Sequence, residues 1–205
     1  MSYSRSAIIT EVQTKLGEIT PFDENEVADS DQLDGLLDAA TRTVLLEAQL
    51  HLIDTDDVSL TGQSHSSDGT GYVKLPTDYL RFAGLKMSSW ERTVYELLNE
   101  EDPRARHQQY SHIRGGNAKP VVIKEQDATN GYTIKYYSGS GTHTVTFAKY
   151  IKEPVAEADP ILIQSELLEP LAWQTAGDYL RIFESPESAK LAYEKVTEYY
   201  QNHKP

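Results

Sequence analysis

Residues 71–82, GYVKLPTDYLRF, decide how the chain is read. Residues 72–75 alternate apolar and polar side chains, as a half-buried strand does. Pro76 has no amide hydrogen and cannot continue a central ladder, and it drives Leu75 towards extended geometry. Pro76, Thr77 and Asp78 then form a turn, and Leu80, Phe82 and Leu85 resume a strand. On either side of the strand-rich region that begins here, the apolar residues follow a helical period. The order is helices, then strands, then helices. That order predicts an α+β fold: a helical body, with long helices from both termini and a C-terminal helical hairpin, into which an antiparallel β-meander is inserted.

Upstream, Ile8, Val12 and Leu16 predict a short helix over residues 4–16 that Gly17 ends. An acidic loop spans residues 20–29. Leu33, Leu36, Leu37, Ala40, Val44, Ala48 and Leu52 predict a long helix over 31–53, with Ser30 as its cap and Asp31 and Asp34 at the positive end of its dipole. Residues 54–71, DTDDVSLTGQSHSSDGTG, are polar and without period, which predicts a flexible docking loop. Its candidate contact residues are Asp54, Asp57, Gly62, His65, Asp68 and Gly71.

Downstream, a short strand is expected within residues 90–97 and a short helix over 102–114. Asp102 would cap that helix, Pro103 sits at its first position, and Gly115 and Gly116 close it. Strands follow at 120–125, 132–137 and 143–151. Asn130-Gly131 and the GSG of 139–141 supply two hairpin turns. After an acidic exit at 154–160, Leu168, Leu171, Ala172, Thr175, Ala176, Tyr179, Leu180 and Phe183 form one helical stripe. Ser185, Pro186 and Glu187 start a second helix that buries Ala189, Ala192, Val196 and Tyr199, giving an αα-hairpin. The expected organisation is therefore 1–53 with 154–205 as the helical body, 54–71 as the docking loop, and 72–153 as the inserted meander.

Composition narrows function. A 205-residue chain buries roughly 70% of its unfolded surface and needs no staples. It has no cysteine, so disulfides and thiolate metal sites are excluded. MSYSRSAIITEVQTKL lacks a continuous apolar run, so no signal peptide is expected, and no run approaches the ~18 apolar residues of a membrane span. Lys and Arg total 19 against 32 Asp and Glu, a net charge of -13. This argues against a nucleic-acid groove, which needs clustered cations. Thirteen tyrosines suit contact surfaces or strands alike.

Catalytic and metal motifs fail on their chemistry. A calcium loop starting at Asp29 would need oxygen ligands at Leu33 and Ala40. GSGT at 139–142 has neither the lysine nor the helix of a phosphate cradle. The six histidines show no zinc spacing, and no G-x-S-x-G occurs. No catalytic, cofactor or metal site is expected. One cluster stands out in the acidic chain: Arg104, Arg106, His107, His112 and Arg114. It reads as a solvated helix with internal ion pairs or as a contact patch for an acidic neighbour, with Arg104, Arg106, His107 and Arg114 as the candidate contacts and residues 23–34 or 153–159 of another copy as candidate partners.

The long helix DQLDGLLDAATRTVLLEAQLHL, the segment YVKLPTDYLRF with Trp90 after it, the exit FAKYIKEPVAEADP and the hairpin LLEPLAWQTAGDYLRIFESPESAKLAYEKVTEYY resemble tailed-phage head-to-tail adaptor proteins of the tail-tubular-A-like type. The resemblance spans most of the chain through loose motifs. It implies a structural virion protein without catalysis, in a ring of usually twelve copies beneath the portal protein, holding tail proteins below and letting DNA pass through its lumen without sequence-specific binding. It implies assembly in the bacterial host cytoplasm, a place at the virion neck, and no cofactor or membrane. A head- or tail-completion module of another virion machine is the alternative, and a small hydrolase with its site in the strand region is a further one.

Overall fold

The computed structural model describes residues 2–19, 28–59, 64–127, 131–141, 143–183 and 186–204. The protein is α+β, with mixed helices and sheets. Contacts divide it into two compact units, Met1–Asp54 with Glu153–Pro205, and Thr55–Lys152. In chain order the first unit opens with a short strand β1 (Ser2–Tyr3), α1 (Arg5–Ile19), α2 (Ser30–Glu47) and a 3-10 turn at Leu50–Leu52. The second unit holds β2 (Asp56–Asp57), β3 (Ser64–His65), β4 (Thr70–Lys74), β5 (Tyr79–Met87), β6 (Leu98–Asn99), α3 (Pro103–His107), β7 (Val121–Asp127), β8 (Gly131–Tyr137) and β9 (Val145–Lys152). The chain returns to the first unit through β10 (Ile161–Leu162), α4 (Leu168–Phe183) and α5 (Pro186–Asn202).

In the helical unit α4 is the hub, packing against α1, α2 and α5. Leu171, Ala172, Ala176 and Leu180 of α4 are fully buried, as are Ile8, Val12 and Leu16 of α1 and Leu33, Leu37 and Ala40 of α2. The stripe expected on α4 is therefore the core face, except that Phe183 is exposed because it lies in the last turn. α5 buries small residues, Ala189, Ala192 and Val196, and Tyr193 bonds Asp178 at 2.8 Å.

Gly17 does not end α1, which continues to Ile19. Its cost of about 1 kcal/mol is outweighed by the burial of Leu16 beside it. Asp29, not Ser30, caps α2, accepting from the Asp31 amide at 3.0 Å. That helix stops at Glu47, short of the expected residue 53. Ala48 turns to extended geometry and a 3-10 turn follows, which still sends Ala48 and Leu52 into the core. The expected cap at Ser185 lies outside the described residues.

The β-rich unit has two sheets. One is ordered β2-β9-β5 and the other β3-β4-β8-β7-β6. This corrects the expected meander. β4 pairs with β8 and β5 with β9, so the Pro76 turn passes the chain from one sheet to the other rather than into a neighbouring strand. The β7–β8 hairpin is present, although its turn residue Asn130 lies outside the described residues. Among the described residues there is no second hairpin: β8 and β9 belong to different sheets, and β6 runs parallel to β7. Val94 makes only a bridge to Leu85 where a strand was expected. Val73, Val122, Ile134 and Tyr136 from one sheet and Phe82, Leu85, Met87 and Tyr150 from the other share one core around Trp90. Non-local pairings of this kind are set by burial on both sheets, which local pattern does not encode.

The expected docking loop at 54–71 is partly woven into these sheets. Asp56 and Asp57 pair with β9, and Ser64 and His65 pair with Tyr72 and Gly71 across a turn at 66–70. Edge strands need few apolar residues, so polar composition hid them.

Candidate functional site: a cationic cleft in the β-rich unit

The site is assembled where β6 meets β7. The Asp102 carboxylate accepts from the Arg104 amide at 2.8 Å, and Pro103 occupies the first helical position, so α3 starts where expected. It runs only to His107 and is followed by a separate 3-10 turn at Ser111–Ile113, in place of one helix to residue 114. Ala105 packs into a small core with Leu98, Ile123 and Tyr137, which fixes α3 against the sheet. The segment before β6 is held by paired Leu85–Val94 backbone bonds of 2.9 Å.

Between these elements lies an open cleft of about 530 Å³. Val94, Leu98, Val121 and Val122 contribute apolar wall, and Arg92, Arg104 and Lys119 contribute positive charge. Arg104 is already committed: it grips both Glu96 oxygens, at 2.7 and 3.1 Å, and Asp102 at 2.9 Å. These bonds, with the attraction of both carboxylates, raise the Arg104 pKa, and the Arg104 bonds and charge lower that of Glu96. Among the described residues Arg92 and Lys119 have no ion pair. Gln108 lines the cleft, and its amide oxygen is buried with no donor among the described residues.

The basic run read from the sequence is thus divided. Arg104 sits on the cleft, while Arg106 and His107 are exposed beside it. Arg114 faces away and acts as an internal tie: it donates to the carbonyls of Gln108 (2.7 Å) and Asp68 (2.6 Å) and lies over the Tyr137 ring. Spacing could not have separated these roles. Arg92, Gln108 and Lys119 were missed because only the fold of the chain around β6 and β7 brings them beside Arg104.

The candidate docking residues go to several places. Asp54 accepts from Gln164 inside the helical unit. Asp57 pairs with Lys149 at 2.8 Å. His65 contacts the Tyr136 hydroxyl. Asp68 accepts from the Thr70 hydroxyl and amide, and these bonds, with one from Ser66, pull its pKa down to about 2. Gly71 is buried in β4, and Gly62 lies outside the described residues. Around Gly69 a polar knot forms: Ser138 donates to the Gly69 carbonyl, His143 bonds the Gly139 carbonyl at 2.7 Å and Ser89 on its other side, and Asn117 accepts from the Gly139 amide.

Charge is unevenly shared. The helical unit carries 7 Lys and Arg against 21 Asp and Glu, a net -14; the β-rich unit carries 12 against 11, a net +1, and the two sum to the chain's -13. Among the described residues no group of three His, Cys, Asp or Glu side chains could hold a metal, and no helix is long and apolar enough to cross a membrane.

Tyr136, Tyr79 and Tyr150 give this unit a distinctive alkaline response. Burial pushes each phenol up to about 12, and for Tyr150 the hydrogen bond to Asp78 adds to it. A raised pKa keeps the folded phenol neutral while the unfolded one ionises near 10. The stability these tyrosines contribute is therefore complete below pH 10 and is lost as pH climbs towards 12. Absorbance titration at 295 nm should show these tyrosines ionising late and together with unfolding; smooth ionisation near pH 10 with the fold intact would contradict it.

Compared with known proteins, the chain matches no protein-family model and no curated protein.

Proposed function

We propose that this protein is a structural component of a tailed-phage head-to-tail junction, an adaptor that forms a ring below the portal and joins capsid to tail. The observation that carries this reading is the order of parts. Both chain ends contribute to one helical unit, and the stretch between them, entered at Thr55, has a core of its own. The finer architecture, a helical body with an inserted β-rich part, belongs to the same reading. The concentration of negative charge on the helical unit is compatible with it. An acidic wall repels DNA phosphates, so duplex passing alongside is not retained.

The role is non-catalytic, with the portal, tail proteins and further copies of the chain as partners, at the neck of the virion. Electron microscopy of the purified protein, alone and mixed with the portal encoded beside it, tests this. Rings of uniform copy number, free or stacked on the portal, are the expected result. A monomer that ignores the portal would overturn the assignment.

A further inference from the structure

We propose that the cleft of one copy receives residues 153–162 of a second copy. The inference deepens the junction reading and rests on it for the presence of neighbouring copies. Its starting point is a pair of exposed side chains. Val155 is 68% and Leu162 78% exposed, more than any other large hydrophobic among the described residues. Between and beside them stand Glu157, Asp159 and Glu153, the last already paired with Arg42 at 2.6 Å, with no basic residue in the segment itself. Apolar side chains displayed amid carboxylates suit a docking element whose receptor is apolar and cationic.

The segment is shaped before any partner arrives. The Glu157 amide donates to Asp38 at 3.0 Å, and Asp159 accepts from the Arg5 amide at 3.0 Å. Arg5 in turn is clamped by Asp34 at 2.6 Å and Asp38 at 2.7 Å, and Leu162 pairs with Ser2. Burial works against the Asp38 carboxylate, yet the Arg5 and Glu157 hydrogen bonds keep its pKa below the usual range and the clamp charged. A preordered segment loses less freedom on binding.

The cleft supplies the complement. Arg92 and Lys119 offer charge not spent on ion pairs among the described residues. Val94, Leu98 and Val121 offer apolar wall, with exposed Tyr95 and Ile113 at 60% and 47% on its margin. The charge division sets the sense of the contact. A net -14 unit repels its own kind and meets least resistance from a +1 unit, so the join is head-to-tail and not two-fold.

The chain has no cysteine, so introduced thiols report without background. Val155→Cys and Ile113→Cys proteins, mixed in equal amounts and oxidised, should give a disulfide-linked dimer that neither forms alone to the same extent. Arg92→Glu with Lys119→Glu should weaken self-assembly at least tenfold, and adding Glu157→Lys should recover part of it. Wild-type rings on the portal without the mixed disulfide would overturn the inference and leave the junction reading standing. A mixed disulfide in free protein that ignores the portal would do the reverse. In the doubly substituted chain, a disulfide that stays at monomer mass would show the segment filling its own cleft, and would also overturn the inference.

Discussion

Replacing Gly69 by alanine is expected to destabilise the β-rich unit by about 3–5 kcal/mol, a large fraction of a domain's stability. Gly69 has φ +86°, and a Cβ there would lie 2.4 Å from the Gly139 carbonyl oxygen and 2.5 Å from that of Ser138. The left-handed conformation costs an L-residue roughly 1–2 kcal/mol. The clash is with backbone, which cannot swing aside, so the loops must part. Parting them threatens the Ser138 amide and hydroxyl bonds to the Gly69 carbonyl, of 2.8 and 3.2 Å, each worth about 1 kcal/mol. Gly116 provides the control. Its φ is +63°, but a Cβ there meets nothing within 4 Å. Gly116→Ala should cost only the conformational term, about 1–2 kcal/mol. Equal urea midpoints for the two variants would show that the close approach of the loops at Gly69 carries no weight.

Leu171→Ala should cost about 2–5 kcal/mol, and the loss should fall on the helical unit. Leu171 is fully buried on α4, the helix on which α1, α2 and α5 all pack, so three neighbours would have to move to close the cavity. Leu191→Ala on the exposed side of α5 should stay within about 0.5 kcal/mol. The chain has two tryptophans, one per unit: Trp90 in the β-rich core and Trp173 on α4, both buried. Single-tryptophan variants, Trp90→Phe or Trp173→Phe, therefore give each unit its own fluorescence signal. Leu171→Ala should shift the Trp173 transition and Gly69→Ala the Trp90 transition. Transitions that always coincide would mean the two units unfold together.

What could be read from the sequence followed local chemistry. Asp102 and Pro103 mark the start of α3 because a cap and a first-turn proline act within a few residues. The buried face of α4 follows from period alone. The ends of elements were less legible: Gly17 signals a stop that packing overrides, and α2 ends before its apolar stripe does. Strand partners were illegible beyond the β7–β8 hairpin, since β5 meets β9 across some sixty residues through bulges at Phe82/Gly84 and elsewhere. At the cleft, charge pointed to Arg104 but could not show that Arg114 is spent on Asp68 and Gln108 carbonyls, or that Arg92 and Lys119 are not spent on acidic partners within the described fold.

The pairing of Asp56 with Tyr150 places the first and last strands of the β-rich unit side by side. Antiparallel neighbours stand about 5 Å apart, so the chain leaves for Thr55–Lys152 and comes back at nearly the same point. For the helices on either side, the whole excursion amounts to closing one short gap, and the entropic cost of such a closure grows only slowly with the length of what is inserted. The length of the β-rich unit thus costs the helical unit little closure entropy. A tight turn joining residue 54 to residue 153 is therefore the shortest deletion of the β-rich unit that leaves the helical unit's own elements untouched.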